Sequence, residues 1–126
     1  MAQSTAAANI ASSDGKFAYV SNYGGGAYNT ITVIDLLAQK TLTPIDLGPL
    51  RGPHGLVFVG EKLWFTAEAA KVIGRYDPAT QKVDLVLGTG QNRTHMIFVA
   101  DDLKRIITSR RSIPAGLTRM PQWAGN

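Results

Sequence analysis

The stretch "GPHGLVFV", residues 52–59, decides the fold, because a close copy, "RTHMIFVA", stands at residues 93–100. Each copy contains a His and then a run of apolar residues. The runs "LVFV" and "MIFV" show no alternation of apolar and polar residues, which is typical of a strand that is covered on both faces. A chain that repeats such a strand at a fixed interval is expected to have a repeat architecture.

A second apolar strand occurs three times along the chain, and its spacing gives the length of the repeat. Aligning "FAYVSN", "LWFTA" and "RIITS" places Val20, Phe65 and Ile107 at one position, with spacings of 45 and 42 residues. A second anchor lies farther along, where Asp35 aligns with Asp77. A period of about 40 to 45 residues with four strands per unit is typical of a β-propeller blade.

The second repeat shows the four strands of one unit. We predict an inner strand at Leu56–Val59, a second at Leu63–Thr66, a third at Val72–Asp77 and an outer one at Lys82–Leu87. The turn after the third strand reads "DPAT", with Asp and Pro at the first two positions that a type I turn favours. Each hairpin is therefore specified locally.

We predict an all-β fold, a β-propeller fragment of about two and a half four-stranded antiparallel blades. Its segments are an N-terminal segment at 1–8, blades at 9–53 and 54–94, a partial third blade at 95–109, and an irregular basic tail at 110–126. Pro114 and Pro121 lack the backbone N–H that a further strand would need. The aromatic residues Tyr19, Phe58, Trp64 and Phe98 are assigned to packing between blades.

Composition excludes several classes of protein. The chain has 126 residues, 44% of them hydrophobic and 17% charged, which is typical of a globular domain. Its net charge of +4 comes mostly from residues 101–126. Elsewhere the lysines are spaced singly and are interpreted as solvated strand-edge residues: Lys16, Lys40, Lys62, Lys71 and Lys82. No basic face for binding nucleic acid is therefore predicted. Without cysteine there is no disulfide framework or thiolate site. Residues 1–15 lack the basic and long apolar regions of a secretory signal, and no run of 18 apolar residues occurs, so we predict neither a signal peptide in this stretch nor a membrane-spanning segment.

The segment "DGKFAYVSN" (14–22) resembles the strand motif of YVTN-type β-propellers. The phrases "GPHGLVFVGEKLWFTAE" (52–68) and "KVIGRYDPAT" (71–80) resemble both that YncE-like group and the virginiamycin B lyase-like propellers. The likeness covers about residues 9–109. It implies a bacterial protein of about seven blades, often exported to the periplasm or beyond, with binding or catalysis at the central channel.

The predicted blades bring charged and titratable residues to one rim. In a propeller, the loop before each inner strand and the loop after each second strand lie on the same face. The candidate ligand-binding residues are Arg51, His54, Glu68, Arg93 and His95. Two guanidinium groups with two imidazoles suit an anionic or polar ligand. The alternative is structural: each His hydrogen-bonds the preceding loop backbone, and the repeat copies that contact.

Two functions remain open at this point. The preferred one is a non-catalytic binding or scaffold module without catalytic residues, metal ligands or a cofactor, whose partner is an unknown small ligand or protein. The other is a fragment of a metal-dependent lyase or lactonase-like enzyme, in which His54 or His95 is a base beside a divalent metal. Lyase-like propellers are similar to "LWFTE" here, whereas Ala67 displaces Glu68 by one position. Uncovered blade faces also predict self-association.

Overall fold

The computed structural model describes residues 6–110, which form eleven β-strands and one short 3-10 turn. The first sheet contains β1 (Ala6–Ala11), β2 (Phe17–Asn22), β3 (Thr30–Asp35), β4 (Lys40–Thr41) and β5 (Ile45–Asp46). The second contains β6 (Pro53–Val59), β7 (Lys62–Ala67), β8 (Val72–Asp77) and β9 (Lys82–Gly88). The third contains β10 (Thr94–Val99) and β11 (Ile106–Arg110). The 3-10 turn is Gly24–Gly26.

Each sheet is an antiparallel meander in chain order. The second runs β6-β7-β8-β9, and the first runs β1-β2-β3-β4, with β5 also paired to β3, so its outer strand is interrupted. We call these sheets blades 1, 2 and 3. The four strands predicted in blade 2 are all present, although the inner strand begins at Pro53 and not at Leu56.

The blades stack in series, because the inner strands β1, β6 and β10 contact one another in that order. Alternate residues of β7 enter two different cores. Leu63 and Phe65 pack towards blade 1, and Trp64 packs towards Ile97 and Val99 of blade 3. A strand covered in this way reads as a continuous apolar run. The predicted all-β fold with propeller-type blades is therefore confirmed.

Three of the four aromatic assignments are confirmed. Tyr19 of blade 1 stacks on Phe58 of blade 2 with the ring centroids 5.9 Å apart. Trp64 is buried between blades 2 and 3. Phe98, by contrast, is 56% exposed, because no described residue covers that side of blade 3. The assignment of Phe98 to packing between blades is wrong for residues 6–110.

Each inner strand begins with a β-bulge, which the sequence pattern does not reveal. Between Ala6 and Asn9, between Pro53 and Leu56, and between Thr94 and Ile97, two residues lie opposite a single residue of the second strand. Such a bulge kinks the strand and redirects its side chains. His54 and His95 occupy the same bulge position in successive blades.

The register corrects several details of the repeat. Ile97 pairs with Thr108, so Thr108 and not Ile107 is equivalent to Phe65, and the second spacing is 43 residues. The first strand begins at Ala6, inside the predicted N-terminal segment, and β11 includes Arg110, which was assigned to the tail. The rest of the predicted tail, 111–126, lies outside the described residues.

Lys62 is also placed differently from its prediction as a solvated strand-edge residue. Its ammonium contacts Asp84 and lies 3.2 Å from Asp77, while Arg75 contacts Asp84 at 2.7 Å and covers the Trp64 ring. These ion pairs shield one edge of the core between blades 2 and 3. Within residues 6–110 no helix is long and apolar enough to cross a membrane.

Candidate functional site

The candidate site lies where the second strands end and the inner strands begin. Tyr23 follows β2 and Glu68 follows β7, so the two residues hold equivalent positions in blades 1 and 2. His54 and His95 come from the bulges of β6 and β10. The site is therefore assembled from three successive blades, and the repeat itself brings its side chains together.

Glu68 is the centre of the hydrogen-bond network. Its side chain is 4% exposed, and its two carboxylate oxygens have different partners. The Tyr23 hydroxyl donates to Oε1 at 2.6 Å, and Nδ1 of His95 lies 3.1 Å from Oε2. A buried carboxylate requires such partners, because its charge is costly to remove from water.

The imidazoles complete the cluster. The rings of His54 and His95 lie 3.8 Å apart between centroids, with a tilt of 42°, and the Tyr23 ring meets His54 edge to face at 5.2 Å. The ligand-type atoms of His54, Glu68 and His95 all lie within 4.8 Å of one another. Three donors from two blades thus converge on one point.

Two buried hydroxyls hold the bulges in place. Ser21 donates to the backbone carbonyl of His54 at 2.8 Å, and Thr66 donates to that of His95 at 2.7 Å. Each also accepts a backbone N–H from its own blade, from Ala8 and Gly55 respectively. Each hydroxyl therefore links its blade to the next one, at the residue that carries the imidazole.

Glycine permits the close approach of blades 2 and 3. A Cβ added at Gly55 would lie 2.7 Å from the carbonyl oxygen of His95, closer than real side chains come. The inner strands can therefore meet at this point only without a side chain. Gly55 directly follows His54 in the chain, and the rings of His54 and His95 meet at 3.8 Å.

The Gly run at 24–26 is an ordered 3-10 turn and forms one wall of the site. Gly24 has a φ of +55°, and a Cβ there would lie 2.6 Å from the Tyr28 ring. The N–H of Gly52 donates to the Tyr28 carbonyl, and the N–H of Glu68 donates to Gly52. This chain of backbone bonds fixes Glu68 relative to blade 1.

An open cavity of about 360 Å³ adjoins the cluster and is lined by Tyr23, Gly25, Gly26, Glu68, Ala69 and Arg93. Arg93 has a φ of +59° and precedes Thr94, whose hydroxyl bonds the Gln91 carbonyl and so closes the loop before β10. The cavity thus combines a buried carboxylate, a phenol hydroxyl and a permanent positive charge.

The structure places the five predicted residues unequally. His54, Glu68 and His95 come together, and Arg93 lines the adjoining cavity. Arg51 instead donates from Nη1 to the carbonyl of Ala27 at 3.1 Å, away from the cluster. Glu68 reaches His95 although Ala67 precedes it, because Ala67 stays in the ladder opposite Val72.

Tyr23 is the site residue that the sequence reasoning missed. Its signal is the repeat period: it stands 45 residues before Glu68, as Val20 stands 45 residues before Phe65. The ring of His95 contacts Glu68, whereas the backbone carbonyl of His95 accepts the hydrogen bond that holds its strand to blade 2. At His95, the hydroxyl of Thr66 holds the strand through the backbone carbonyl, as the hydroxyl of Ser21 does at His54.

No protein-family model matches the sequence, and no curated protein matches it. Among solved structures, the chain is similar to one titled hydrazine synthase of Kuenenia stuttgartiensis, with a TM-score of 0.70 and 16% identity. The alignment covers 85% of this chain and 29% of that one, so this chain spans less than a third of its length. The chain folds as blades of a β-propeller. At this identity the likeness shows the fold alone.

Proposed function

We propose that this chain is a binding module, in which the edge of the stacked blades holds a small polar or anionic ligand. The observation that carries the proposal is the convergence of His54, Glu68 and His95 beside an open cavity of about 360 Å³. The sequence resemblance to YVTN-type, YncE-like propellers agrees with a binding role. Concave sites with a few convergent polar groups are the usual form of small-molecule sites.

The cavity favours a ligand that carries a negative group. The guanidinium of Arg93 can bind a carboxylate or phosphate with two N–H groups. Glu68 does not oppose this as strongly as a free carboxylate would, because Tyr23 and His95 already engage its oxygens. The imidazoles add further hydrogen-bonding groups beside the cavity.

Thermal melting in inorganic phosphate, at constant ionic strength set with chloride, tests this function. A bound anion stabilises the fold by an amount that grows with the logarithm of its concentration once that concentration exceeds Kd. We expect the Tm to rise with phosphate for the wild-type chain and for Arg105→Gln, an exposed arginine in the β10–β11 turn. Arg93→Gln should remove the rise. An equal rise in both variants would reject an anion site at Arg93.

The donor set itself favours a second candidate, the metal-dependent lyase or lactonase-like enzyme. One carboxylate and two imidazoles within 4.8 Å suit a divalent ion such as Zn²⁺, and His54, Glu68 and His95 would hold it. Bound there, the ion would supply Lewis-acid polarisation or an acidified water. Tyr23 and His95, at 2.6 Å and 3.1 Å from the two carboxylate oxygens, would orient Glu68 towards the ion.

Metal titration separates the two candidates. After dialysis against a chelator, melting is repeated with Mg²⁺, Ca²⁺, Mn²⁺ or Zn²⁺. A rise in Tm with one ion, lost in Glu68→Gln and kept in Arg93→Gln, supports the enzyme. A rise with phosphate and none with any ion supports the binding module. If neither phosphate nor any of these ions raises the Tm, both candidates are rejected.

A further inference from the structure

We call the side of each blade that faces the following blade its front face, and the same types of residue recur on the front faces of blades 1 and 2. In blades 1 and 2 this front face carries an aromatic residue and a fully buried hydroxyl, Tyr19 with Ser21 and Trp64 with Thr66. The following blade covers both residues, and the backbone carbonyl at its bulge accepts a hydrogen bond from the hydroxyl. The same surface is thus seen twice in its covered state.

Blade 3 presents the third copy of this face uncovered. Ile107 is equivalent to Trp64 and Ser109 to Thr66 by register. Met96, Phe98 and Ile107 are 45%, 56% and 47% exposed, and Ser109 is exposed as well, whereas Ile97 and Val99 on the opposite side are buried. Among residues 6–110, nothing packs on this front face of blade 3, an apolar patch with a hydroxyl at its edge.

The rear face of blade 1 is the matching surface. The residues equivalent to Leu56 and Phe58 are Asn9 and Ala11, both exposed, and Ala18 takes the place of Leu63. Small residues there oppose large ones at the front of blade 3, where Met96 stands at the position of Gly55. The two covered interfaces differ at this position: Ala8 carries a Cβ next to blade 2, whereas Gly55 leaves no room for one next to blade 3.

We propose that two copies of this chain associate head to tail, with the front face of blade 3 of one copy covered by the rear face of blade 1 of the other. Ser109 then donates to the bulge carbonyl of Ala7, the residue equivalent to His54 and His95. The contact buries Phe98, Met96 and Ile107 and continues the blade series across the interface. Such a heterologous contact uses two different surfaces.

Complementary blocking variants test this arrangement by light scattering after size exclusion. Phe98→Glu places a charge on the front face of blade 3, and Ala11→Glu places one on the rear face of blade 1; both positions are exposed, so the fold of the single chain is retained. We expect the wild-type chain to associate, each variant alone to be monomeric, and an equimolar mixture to give a species of twice the monomer mass. Leu37→Glu, at a leucine that is 77% exposed outside both faces, should associate like the wild type.

Each other outcome overturns the proposal and indicates a different occupant. If Ala11→Glu alone still dimerises, the front faces pair with each other. A wild-type chain that stays monomeric at high concentration would mean that residues 111–126, or another protein, cover the patch. An association unchanged in both variants would place the contact elsewhere. Circular dichroism of each variant confirms that the strands are intact.

Discussion

The hydroxyl of Tyr23 donates to Oε1 of Glu68 at 2.6 Å, although the two residues stand 45 positions apart in the chain. They are the same position of two successive repeats, so the bond joins a repeat to its own copy. The duplicated position has diverged into a donor in blade 1 and an acceptor in blade 2. Each blade can therefore contribute a different group to one shared site.

Replacing Tyr23 by Phe should destabilise the fold, because it removes a donor from a buried carboxylate. We expect a loss of about 1–3 kcal/mol in the free energy of unfolding, measured in denaturant. Tyr28→Phe is the matched control, since Tyr28 is 50% exposed. In a double-mutant cycle with Glu68→Gln the two changes should not add. Additive effects would show that the bond contributes nothing.

Thr66→Val should also destabilise the chain, by a different route. It keeps the shape of a side chain that is 0% exposed, but leaves the Gly55 N–H and the His95 carbonyl without this partner. We expect a loss of about 1–3 kcal/mol in denaturant unfolding. Thr66→Ser retains the hydroxyl and should cost about 1 kcal/mol or less. A loss in Thr66→Ser as large as that in Thr66→Val would contradict this, because it would mean that the methyl group, which only the serine variant lacks, contributes as much as the two hydrogen bonds of the hydroxyl.

The strands of blade 2 could be predicted because this blade is covered on both faces. "LVFV" and "LWFTA" are continuous apolar runs since Leu63 and Phe65 meet blade 1 while Trp64 meets blade 3. The turn at Asp77 was equally legible, and its carboxylate accepts the Ala79 N–H at 2.9 Å. The fold could therefore be predicted from the burial of the strands and from the residues that favour each turn.

The site was harder to predict, because its geometry depends on bulges and on contacts between blades. A bulge adds one residue without a sequence signature, so the direction of the His54 and His95 rings could not be derived from the repeat alone. Phe98 has the composition of a core residue, yet its burial depends on a neighbour that residues 6–110 do not supply. Tyr23 could have been found by adding one period, although only the structure shows that it reaches Glu68.

Replacing Gly74 of β8 by Ala should strongly destabilise the fold. A Cβ at Gly74 would lie 2.1 Å from the Cζ of Phe65, whose side chain is 0% exposed and cannot retreat. Overpacking of this kind costs about 1–3 kcal/mol or more. Gly88→Ala in the neighbouring strand is the control, since no heavy atom lies within 4 Å of its added Cβ. The difference between the two in denaturant unfolding measures the packing at Phe65; equal stabilities would contradict it.

Acidic pH should weaken the ion pairs of blade 2. The Arg75 guanidinium, and then the Lys62 ammonium, hold the pKa of Asp84 below its ordinary value of 3.8. Because the folded-state pKa is the lower one, this stabilisation is present above about pH 4 and is lost as the pH falls through the folded-state pKa.

Asp84→Asn should therefore be less stable than the wild type at pH 7 by a modest amount, as for other exposed ion pairs, and this difference in stability should close towards pH 2. Asp101→Asn, at an exposed carboxylate in the β10–β11 turn, should show no such closing. A gap for Asp84→Asn that stays constant from pH 7 to pH 2, in denaturant unfolding at fixed ionic strength, would mean that the charge of Asp84 does not stabilise blade 2.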